Sequence, residues 1–292
     1  MDDIPFKKIG IYGVGLLGGS LGLALKETSL DVEIIGIGRS DERLKMALDK
    51  GVIDSYTCDP GGISPLLDAL VVCTPVRLAP KALISTLPSL TDDAVITDVG
   101  STKNMLVHGC EAAAGERFFV GSHPMAGSHK TGVCAARADL FKNKICVVTE
   151  TDNSNAPSVD AIVNLWKLIG MRVIRMSPTD HDRLTAHSSH LPHIIAAAMC
   201  HAALTQGKDI EPVLGDGFRD STRIAQGDPS IWVDICLENR EAILDSLQSL
   251  QSVLSNFYNA IDASDETAIR DFLTEARNWK KQTNSPLPPK EV

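Results

Sequence analysis

The stretch KKIGIYGVGLLGGSLGLALKE, residues 7–27, decides the fold class of this chain of 292 residues. The apolar run that ends at Tyr12 predicts a buried strand, and the apolar segment from about Leu16 to Glu27 predicts a helix. Between them lies Gly13-Val-Gly15-Leu-Leu-Gly18, a G-x-G-x-x-G pattern. This pattern indicates a dinucleotide-binding loop only where it joins a strand to a helix, and it does so here.

Each glycine of this loop has its own expected function. Gly13 would form the tight turn, Gly15 would let a pyrophosphate approach the backbone, and Gly18 would let helix and strand pack closely. The free amides of the helix N-terminus, at Leu16 and Leu17, would face the phosphates. The loop therefore predicts dinucleotide binding. The alternative is a glycine turn with a purely structural function.

The same alternation of apolar runs and helical segments continues to about Gly170. Further strands are predicted at 32–38, 68–75, 94–100 and 144–149, with helices between them that include 102–114 and 159–170. Strands that are continuously apolar and alternate with helices are typical of a parallel sheet covered on both faces. The first part of the chain is therefore predicted to be an α/β domain with a Rossmann-type, doubly wound parallel sheet.

From about residue 178 the sequence shows helical periodicity and almost no strand pattern. Two long amphipathic helices are predicted at 238–261 and 263–281. We therefore predict a dinucleotide-binding domain over 1–175, an all-helical substrate and dimerisation domain over 176–282, and a flexible tail over 283–292. The leucine-rich first helix carries more apolar surface than a small domain can bury alone, which predicts a homodimer.

Composition limits the partners. The net charge is −9 and no lysine- or arginine-rich run occurs, which argues against nucleic acid and an anionic membrane. No apolar run reaches the length of about 18 residues that a membrane span needs. The seven cysteines are scattered without a C-x-x-C pair, which is typical of reduced thiols in a cytoplasmic protein. A small molecule is therefore the expected partner.

The end of the second strand bears on the choice of cofactor. An NAD-selective site usually carries an acid there, but this chain has Gly38-Arg39-Ser40, whose cationic and hydroxyl groups suit a 2′-phosphate. We therefore predict NADP over NAD. The alternative is that Arg39 stacks on adenine or lies in solvent, so that either cofactor is accepted. Three residues at other strand ends are further candidates for cofactor binding, namely Thr74, Pro75 and Asp98.

Three segments carry residues suited to chemistry. Asp98-Val-Gly-Ser101-Thr-Lys103 follows a strand and enters a helix, although Asp98 or Ser101 could also be only a helix cap. Gly121-Ser-His123-Pro-Met-Ala-Gly127 places a histidine on an irregular loop, where it could titrate near neutrality. Gly217-Phe-Arg219-Asp220-Ser-Thr-Arg223 has two arginines that could clamp carboxylates, and its alternative is a surface loop with salt bridges.

Together these segments resemble a known family. GVGLLGGSL, DVGSTK, GSHPMAG, HSSHLPH, GFRDSTRIA and DPSIW, in this order, are similar to the prephenate/arogenate (cyclohexadienyl) dehydrogenases of tyrosine biosynthesis. The resemblance extends from Lys7 to about Lys280. It implies a nucleotide-binding domain followed by a helical domain that forms the dimer, and an NAD(P)-dependent oxidative decarboxylation that requires no metal.

The resemblance also implies residue roles. His123 would be the base, Ser101 would hydrogen-bond the reacting hydroxyl, and Arg223 would bind a substrate carboxylate. The remaining residues implied to bind the substrate or shape its pocket are His190, His193, Arg219, Asp220 and Trp232. A base of ordinary histidine pKa suits this chemistry, because loss of CO₂ and formation of an aromatic ring already drive the reaction.

The segment HSSHLPH, residues 187–193, allows other interpretations. Histidines at 187, 190 and 193 would fan over about 240° of a helix, which disfavours a shared metal ion. His190 and His193 are therefore interpreted as substrate-pocket residues and His187 as structural. His181 is interpreted as a capping or hinge residue.

The chain departs from the family at one position. Two residues beyond the second glycine of GSHPMAG the family often carries an acid, but here the residue is His129. A carboxylate there could pair with the amino group of arogenate, so we predict a preference for prephenate. The chain has no room for a fused mutase or regulatory domain, so tyrosine inhibition would act at the active site. The competing functions are a β-hydroxyacid or imine dehydrogenase and a non-catalytic nucleotide sensor.

Overall fold

The computed structural model describes residues 4–128 and 130–283. Its strands are β1 (Lys8–Tyr12), β2 (Glu33–Ile37), β3 (Ser55–Thr57), β4 (Leu67–Val72), β5 (Leu90–Asp98), β6 (Phe118–Pro124), β7 (Ile145–Thr149) and β8 (Arg172–Met176). Its α-helices are α1 (Leu16–Lys26), α2 (Asp41–Asp49), α3 (Ala79–Thr86), α4 (Asn104–Ala114), α5 (Ala156–Leu168), α6 (Pro178–Thr185), α7 (Leu191–Leu204), α8 (Asp216–Thr222), α9 (Pro229–Glu238), α10 (Arg240–Asp262) and α11 (Glu266–Thr283). The predicted elements match these bounds to within a few residues, but the sequence does not predict the strands β3, β6 and β8. The prediction of an irregular loop around His123 is wrong for residues 121–124, because they belong to β6.

One eight-stranded sheet has the order β3-β2-β1-β4-β5-β6-β7-β8. Strands β1 to β6 pair in parallel, as the sequence predicted. The expectation of a wholly parallel sheet is wrong at the far edge, because β7 pairs antiparallel with β6 and β8 follows β7 in parallel. The carboxyl ends of β2, β1, β4, β5 and β6 therefore meet along one edge of the sheet.

The sheet separates two apolar clusters. Consecutive residues of one strand alternate between them: in β4, Val71 belongs to the first cluster and Leu70 to the second. Because neighbouring side chains of a strand point to opposite faces, the clusters lie on opposite sides of the sheet. Helices α1, α2 and α5 cover the first face, and α3 and α4 cover the second. This is the doubly wound arrangement that the sequence predicted.

The chain after β8 is helical, as expected. Residues 186–190 form a π-helical turn between α6 and α7, a wider turn that is frequent at functional sites. By compactness the chain divides into residues 1–243 and 244–292, so the predicted boundary between 175 and 176 stays a prediction. In the second unit, Phe257 and Phe272 stack on each other. Most of the predicted tail, 284–292, lies outside the described residues.

None of the helices in the described ranges combines the length and apolar character that a membrane span requires.

Candidate active site

The glycine loop between β1 and α1 has the geometry that phosphate binding needs. Gly13 has a φ of +98°, and a side chain there would approach the carbonyl oxygen of Cys73 to 2.8 Å. A Cβ on Gly18 would lie 2.4 Å from the carbonyl oxygen of Gly13, so helix and turn touch directly. A Cβ on Gly15 would meet nothing within 4 Å. Only Gly15 therefore faces open space.

That open space lies at the N-terminus of α1. No side chain caps this helix and its first turn contains no acidic residue, so its amides remain available to an anion. The loop and the uncapped amides, including those of Leu16 and Leu17, fit the pyrophosphate of a dinucleotide.

The other predicted cofactor-binding residues stand at neighbouring strand ends. Arg39 and Ser40 follow β2, and Thr74 and Pro75 follow β4, the two strands that flank β1. Arg39 is exposed, and within the described residues it forms no ion pair. The hydroxyl of Ser40 accepts the Arg43 amide and so caps α2. Their predicted function in cofactor binding stays a prediction.

Asp98, at the end of β5, is buried and bonded to neighbouring groups. Its side chain is 1% exposed, and one oxygen accepts a 2.6 Å bond from Nζ of the fully buried Lys103. The carboxylate also accepts the backbone amides of Gly100 and Ser122. Since these bonds occupy both oxygens, the geometry favours a function in fixing the loop 98–103 over the predicted contact with cofactor.

His123 of β6 contacts a histidine of the helical region. Its Nδ1 lies 2.8 Å from Nε2 of His181 in α6, and Nδ1 of His181 lies 2.8 Å from the carboxylate of Asp182. The same carboxylate accepts the amides of Lys103, at 2.7 Å, and Asn104, at 2.8 Å. Asp182 therefore caps the N-terminus of α4 while it holds His181.

These contacts fix the position of the protons. A carboxylate only accepts, so Nδ1 of His181 must donate to Asp182, which leaves Nε2 of the neutral ring as an acceptor. His123 must then donate from Nδ1 to His181. The lone pair of His123 is thereby placed on Nε2, the nitrogen that a general base would use.

The surroundings keep His123 neutral. Burial lowers its pKa well below the usual histidine value, and the nearby His181 and Lys103 lower it further. Burial likewise lowers the pKa of His181, although Asp182 opposes that shift. The expectation of an ordinary pKa for the base is therefore wrong. A base with a lowered pKa retains its lone pair at neutral pH.

The motif around the π-helical turn forms a second part of the cluster. His193 stacks on Trp232 of α9, with ring centroids 3.4 Å apart, and His190 meets the same indole edge-on at 6.1 Å. Gly227 permits this stack, since a Cβ there would lie 2.6 Å from the indole nitrogen. His187 is exposed and turned away.

The structure brings some predicted residues together and not others. His123, His190 and His193 belong to one cluster, and the backbone of Ser101 lies beside His190. The side chains of Arg219, Asp220 and Arg223 are exposed and, within the described chain, have no ion-pair or hydrogen-bond partner. Position 129 lies outside the described residues.

Sequence reasoning missed two members of the cluster, His181 and Asp182. The interpretation of His181 as a cap is wrong, because Ser177 caps α6, and the His181 ring is fully buried against His123. The alternative interpretation as a hinge stays a prediction. The sequence feature that could have identified them is a histidine followed by an acid at the polar start of a helix. That pattern alone is equally typical of a solvent-exposed turn.

The fold and the site define a class: an α/β dehydrogenase with a glycine loop suited to a dinucleotide and a buried cluster of histidines. Comparison with known proteins is more specific. Residues 21–175 match the family model "Prephenate dehydrogenase, nucleotide-binding domain", and residues 177–275 match "Prephenate dehydrogenase, dimerization domain".

Individual relatives agree. The chain is 35% identical to prephenate dehydrogenase of Bacillus subtilis over 92% of its own length and 74% of that protein. It is 31% identical to cyclohexadienyl dehydrogenase of Zymomonas mobilis over 93% of its length and 94% of that protein. The chain belongs to the prephenate dehydrogenase family, whose activity is the NAD(P)-dependent oxidative decarboxylation of prephenate to 4-hydroxyphenylpyruvate.

Solved structures show the same likeness. A crystal structure of prephenate dehydrogenase from A. aeolicus in complex with hydroxyphenyl propionate and NAD⁺ is 30% identical, with a TM-score of 0.90 over 95% of this chain and 98% of that one. By contrast, a 3-hydroxyisobutyrate dehydrogenase of Mycobacterium tuberculosis is 12% identical with a TM-score of 0.52 over 69% of this chain and 66% of that one, a likeness of fold alone.

Proposed function

We propose that the cluster around His123 carries out the oxidative decarboxylation of prephenate, with Nε2 of His123 as the base. The observation that carries this assignment is the contact from His123 through His181 to Asp182, because it leaves the lone pair on Nε2. The ring hydroxyl gives its proton to Nε2 and the ring carboxylate leaves as CO₂. The electron pair of the broken C–C bond makes the ring aromatic, and the resulting phenolate takes a proton back. A dinucleotide held at the glycine loop of Gly13, Gly15 and Gly18 would supply the acceptor for the hydride that leaves the carbon carrying the hydroxyl.

Asp182 supports this step through charge. When Nε2 takes the proton, His123 becomes a cation whose Nδ1 proton already points at His181. The buried carboxylate of Asp182 then stabilises the positive charge across the two rings, while its bonds to the amides of Lys103 and Asn104 hold it in place.

The substrate is held by groups around the base. We assign Ser101 to the reacting hydroxyl, and His190, His193 and Trp232 to the walls of the pocket. Prephenate carries two carboxylates, so a cation is needed in an acidic protein. Arg223 is exposed, without a partner in the described chain, and lies on a turn that packs against α7, the helix of His193. It is proposed to bind one carboxylate, with Arg219 and Asp220 nearby on α8.

For the cofactor we propose NADP over NAD. Arg39 is exposed at the end of β2, the position where an NAD-selective enzyme usually carries an acid. Asp41 and Glu42 in the first turn of α2 add negative charge close by, so selectivity would depend on the guanidinium alone. The protein is further proposed to prefer prephenate to arogenate, because His129 replaces an acid that could pair with the amino group.

The assembly proposed is a homodimer through the helical region. Exposed apolar side chains there, such as Leu254, Tyr258 and Leu273, would be covered by a second copy. All seven cysteines are free, in keeping with the proposed cytoplasmic location. The domain boundary is proposed between 175 and 176.

Steady-state kinetics test the function. Purified protein is mixed with prephenate or arogenate and with NAD⁺ or NADP⁺, and reduced nicotinamide and 4-hydroxyphenylpyruvate are measured. The expected result is product formation with prephenate, with a higher kcat/KM for NADP⁺. Absence of 4-hydroxyphenylpyruvate with both cofactors would overturn the function, whereas a higher kcat/KM for arogenate or NAD⁺ would reverse only the corresponding preference.

A further inference from the structure

Asn239 ends helix α9 and makes two contacts with one nitrogen. Its side chain is buried, and Nδ2 lies 2.8 Å from the backbone carbonyl oxygen of Asp182 and 3.1 Å from Nδ1 of His190. Because a carbonyl oxygen only accepts, the atom facing it must be the NH₂ group. The Asp182 carbonyl therefore fixes the orientation of the Asn239 amide.

The oriented amide in turn fixes the ring of His190. The second proton on Nδ2 points at Nδ1 of His190, so Nδ1 accepts and the neutral ring carries its proton on Nε2. Burial lowers the pKa of His190 to about 4, which keeps the ring neutral at working pH. The groups that face it are Asp182, His181, His193 and the Ser101 backbone.

The Nε2 atom of His190 is left without a partner. The ring is 1% exposed, and no described residue forms a hydrogen bond of normal geometry with Nε2. The Ser101 backbone lies close enough to favour the charged form of the ring, but it does not have the distance and angle of a normal hydrogen bond to Nε2. A buried N–H without a hydrogen bond lowers the stability of the folded protein by about 1–3 kcal/mol. We therefore expect a bound ligand to accept a hydrogen bond from this N–H.

We propose that Asn239 is a positioning residue that fixes the Nε2–H tautomer of His190, and that this buried N–H donates to an oxygen atom of the bound substrate. The inference rests on the proposed function for the identity of the substrate, and it adds the atom, the proton and the residue that holds it. His190 neighbours Ser101 and interacts with His123, so the oxygen belongs to the substrate's carboxylate or to its reacting hydroxyl.

The tautomer is measured without any activity assay. Protein labelled with ¹⁵N-histidine is studied by long-range ¹H–¹⁵N NMR, and the His190 ring is assigned by its absence in His190→Gln. The expected spectrum has a protonated Nε2 and an unprotonated Nδ1. A proton on Nδ1 at neutral pH would overturn the inference, whether or not the protein oxidises prephenate.

Asn239→Asp reverses the contact. A carboxylate at 239 accepts from Nδ1, so the neutral His190 ring must move its proton there and present a lone pair to the substrate. KM for prephenate should rise about ten- to a hundredfold at neutral pH. It should fall again as pH is lowered, because the charged ring regains a proton on Nε2. A merely structural defect would not recover in this way.

Controls separate the outcomes. Gln206→Glu adds a similar charge on an exposed surface and should leave KM and its pH dependence unchanged. If Asn239→Asp does not fold, Asn239→Ala removes the donor without adding charge and should give a mixture of tautomers. His190→Leu should lose about ten- to a hundredfold in kcat/KM, whereas His190→Gln, which keeps an N–H at similar reach, should lose less.

The split between constants identifies the oxygen. A loss mainly in KM for His190→Leu indicates a carboxylate, and a loss mainly in kcat indicates the reacting hydroxyl. If the wild-type protein oxidises prephenate but His190→Leu and Asn239→Asp match it in both constants, the inference is overturned while the proposed function stands.

Discussion

Nδ1 of His123 lies 2.8 Å from Nε2 of His181, and this contact joins strand β6 to helix α6. The two residues are 58 positions apart in sequence. Through Asp182 the contact continues to the N-terminus of α4. These contacts hold His123, His181 and the loop of Ser101 in fixed positions relative to one another. A change to the carboxylate of Asp182 should therefore alter the activity of His123.

Asp182→Asn should lower kcat. The amide keeps one oxygen but places an NH₂ against groups that donate, so His181 loses its fixed tautomer and the cation on His123 loses its counter-charge. A fall in kcat of about a hundredfold is expected, with a smaller change in KM. The matched control is Asp180→Asn, an exposed acid on the same helix, which should retain activity. Equal kcat in the two variants would contradict the proposed effect of Asp182 on His123 through His181.

His123→Asn should lower kcat by about 10²–10⁴, the usual contribution of a general base. In the wild-type protein kcat/KM should rise with pH and reach its plateau below pH 6.5, because burial and the nearby His181 lower the pKa of His123 well below the usual histidine value of 6.5. The acid limb of this profile belongs to the coupled cluster as a whole. The control is His187→Asn, which changes an exposed histidine of the segment 187–193 and should leave the profile unchanged. Retained turnover in His123→Asn would remove the proposed mechanism.

Much of the fold follows from local patterns. Gly13 has a positive φ and Gly18 has no room for a side chain. Because glycine meets both conditions, the spacing of the glycines in the sequence already predicts this loop. Apolar runs predict strands because they are buried on both faces of the sheet. The reversal at β7 leaves no such mark, since a buried strand has the same composition in either direction.

The site was predicted less completely than the fold. His123 and His190 stand in recognisable motifs, but the position of their protons depends on His181, Asp182 and Asn239, which tertiary folding brings to them. A polar residue at the end of a helix, such as Asn239, usually serves as a cap. In the folded protein its side chain instead points inward, to the Asp182 carbonyl and the His190 ring.

Stability should fall in mild acid, and His190 should contribute to that fall. Burial lowers its pKa from 6.5 to about 4, so between these values the unfolded chain binds a proton that the folded chain excludes. The stabilisation is complete above pH 6.5 and is lost as pH falls towards 4. From about pH 7 to about pH 5 this group should account for about 2 kcal/mol. Urea denaturation of His190→Gln should show a flatter pH dependence than the wild type; parallel curves would contradict the shift.

Two glycine variants should separate folding from cofactor binding. Gly15→Ala places a methyl group in open space, with a φ of −98° that an alanine adopts, so stability should change little while dinucleotide affinity falls at least about tenfold. Gly18→Ala forces a Cβ against the Gly13 carbonyl and should destabilise by about 1–3 kcal/mol. Thermal unfolding and cofactor titration measure both. The reverse pattern would show that the loop is mainly structural.

Arg39→Glu should decide the basis of cofactor choice. An acid at the end of β2 repels a 2′-phosphate and suits ribose hydroxyls, so kcat/KM for NADP⁺ should fall about ten- to a hundredfold while that for NAD⁺ holds or rises. Arg43→Glu changes the same charge one turn into α2 and provides the control. If both variants lower kcat/KM for NADP⁺ and for NAD⁺ by the same factor, the effect comes from the general charge of this region and not from a contact with the 2′-phosphate. If neither changes the NADP⁺ to NAD⁺ ratio, Arg39 does not contact the 2′-position and the preference for NADP must be abandoned.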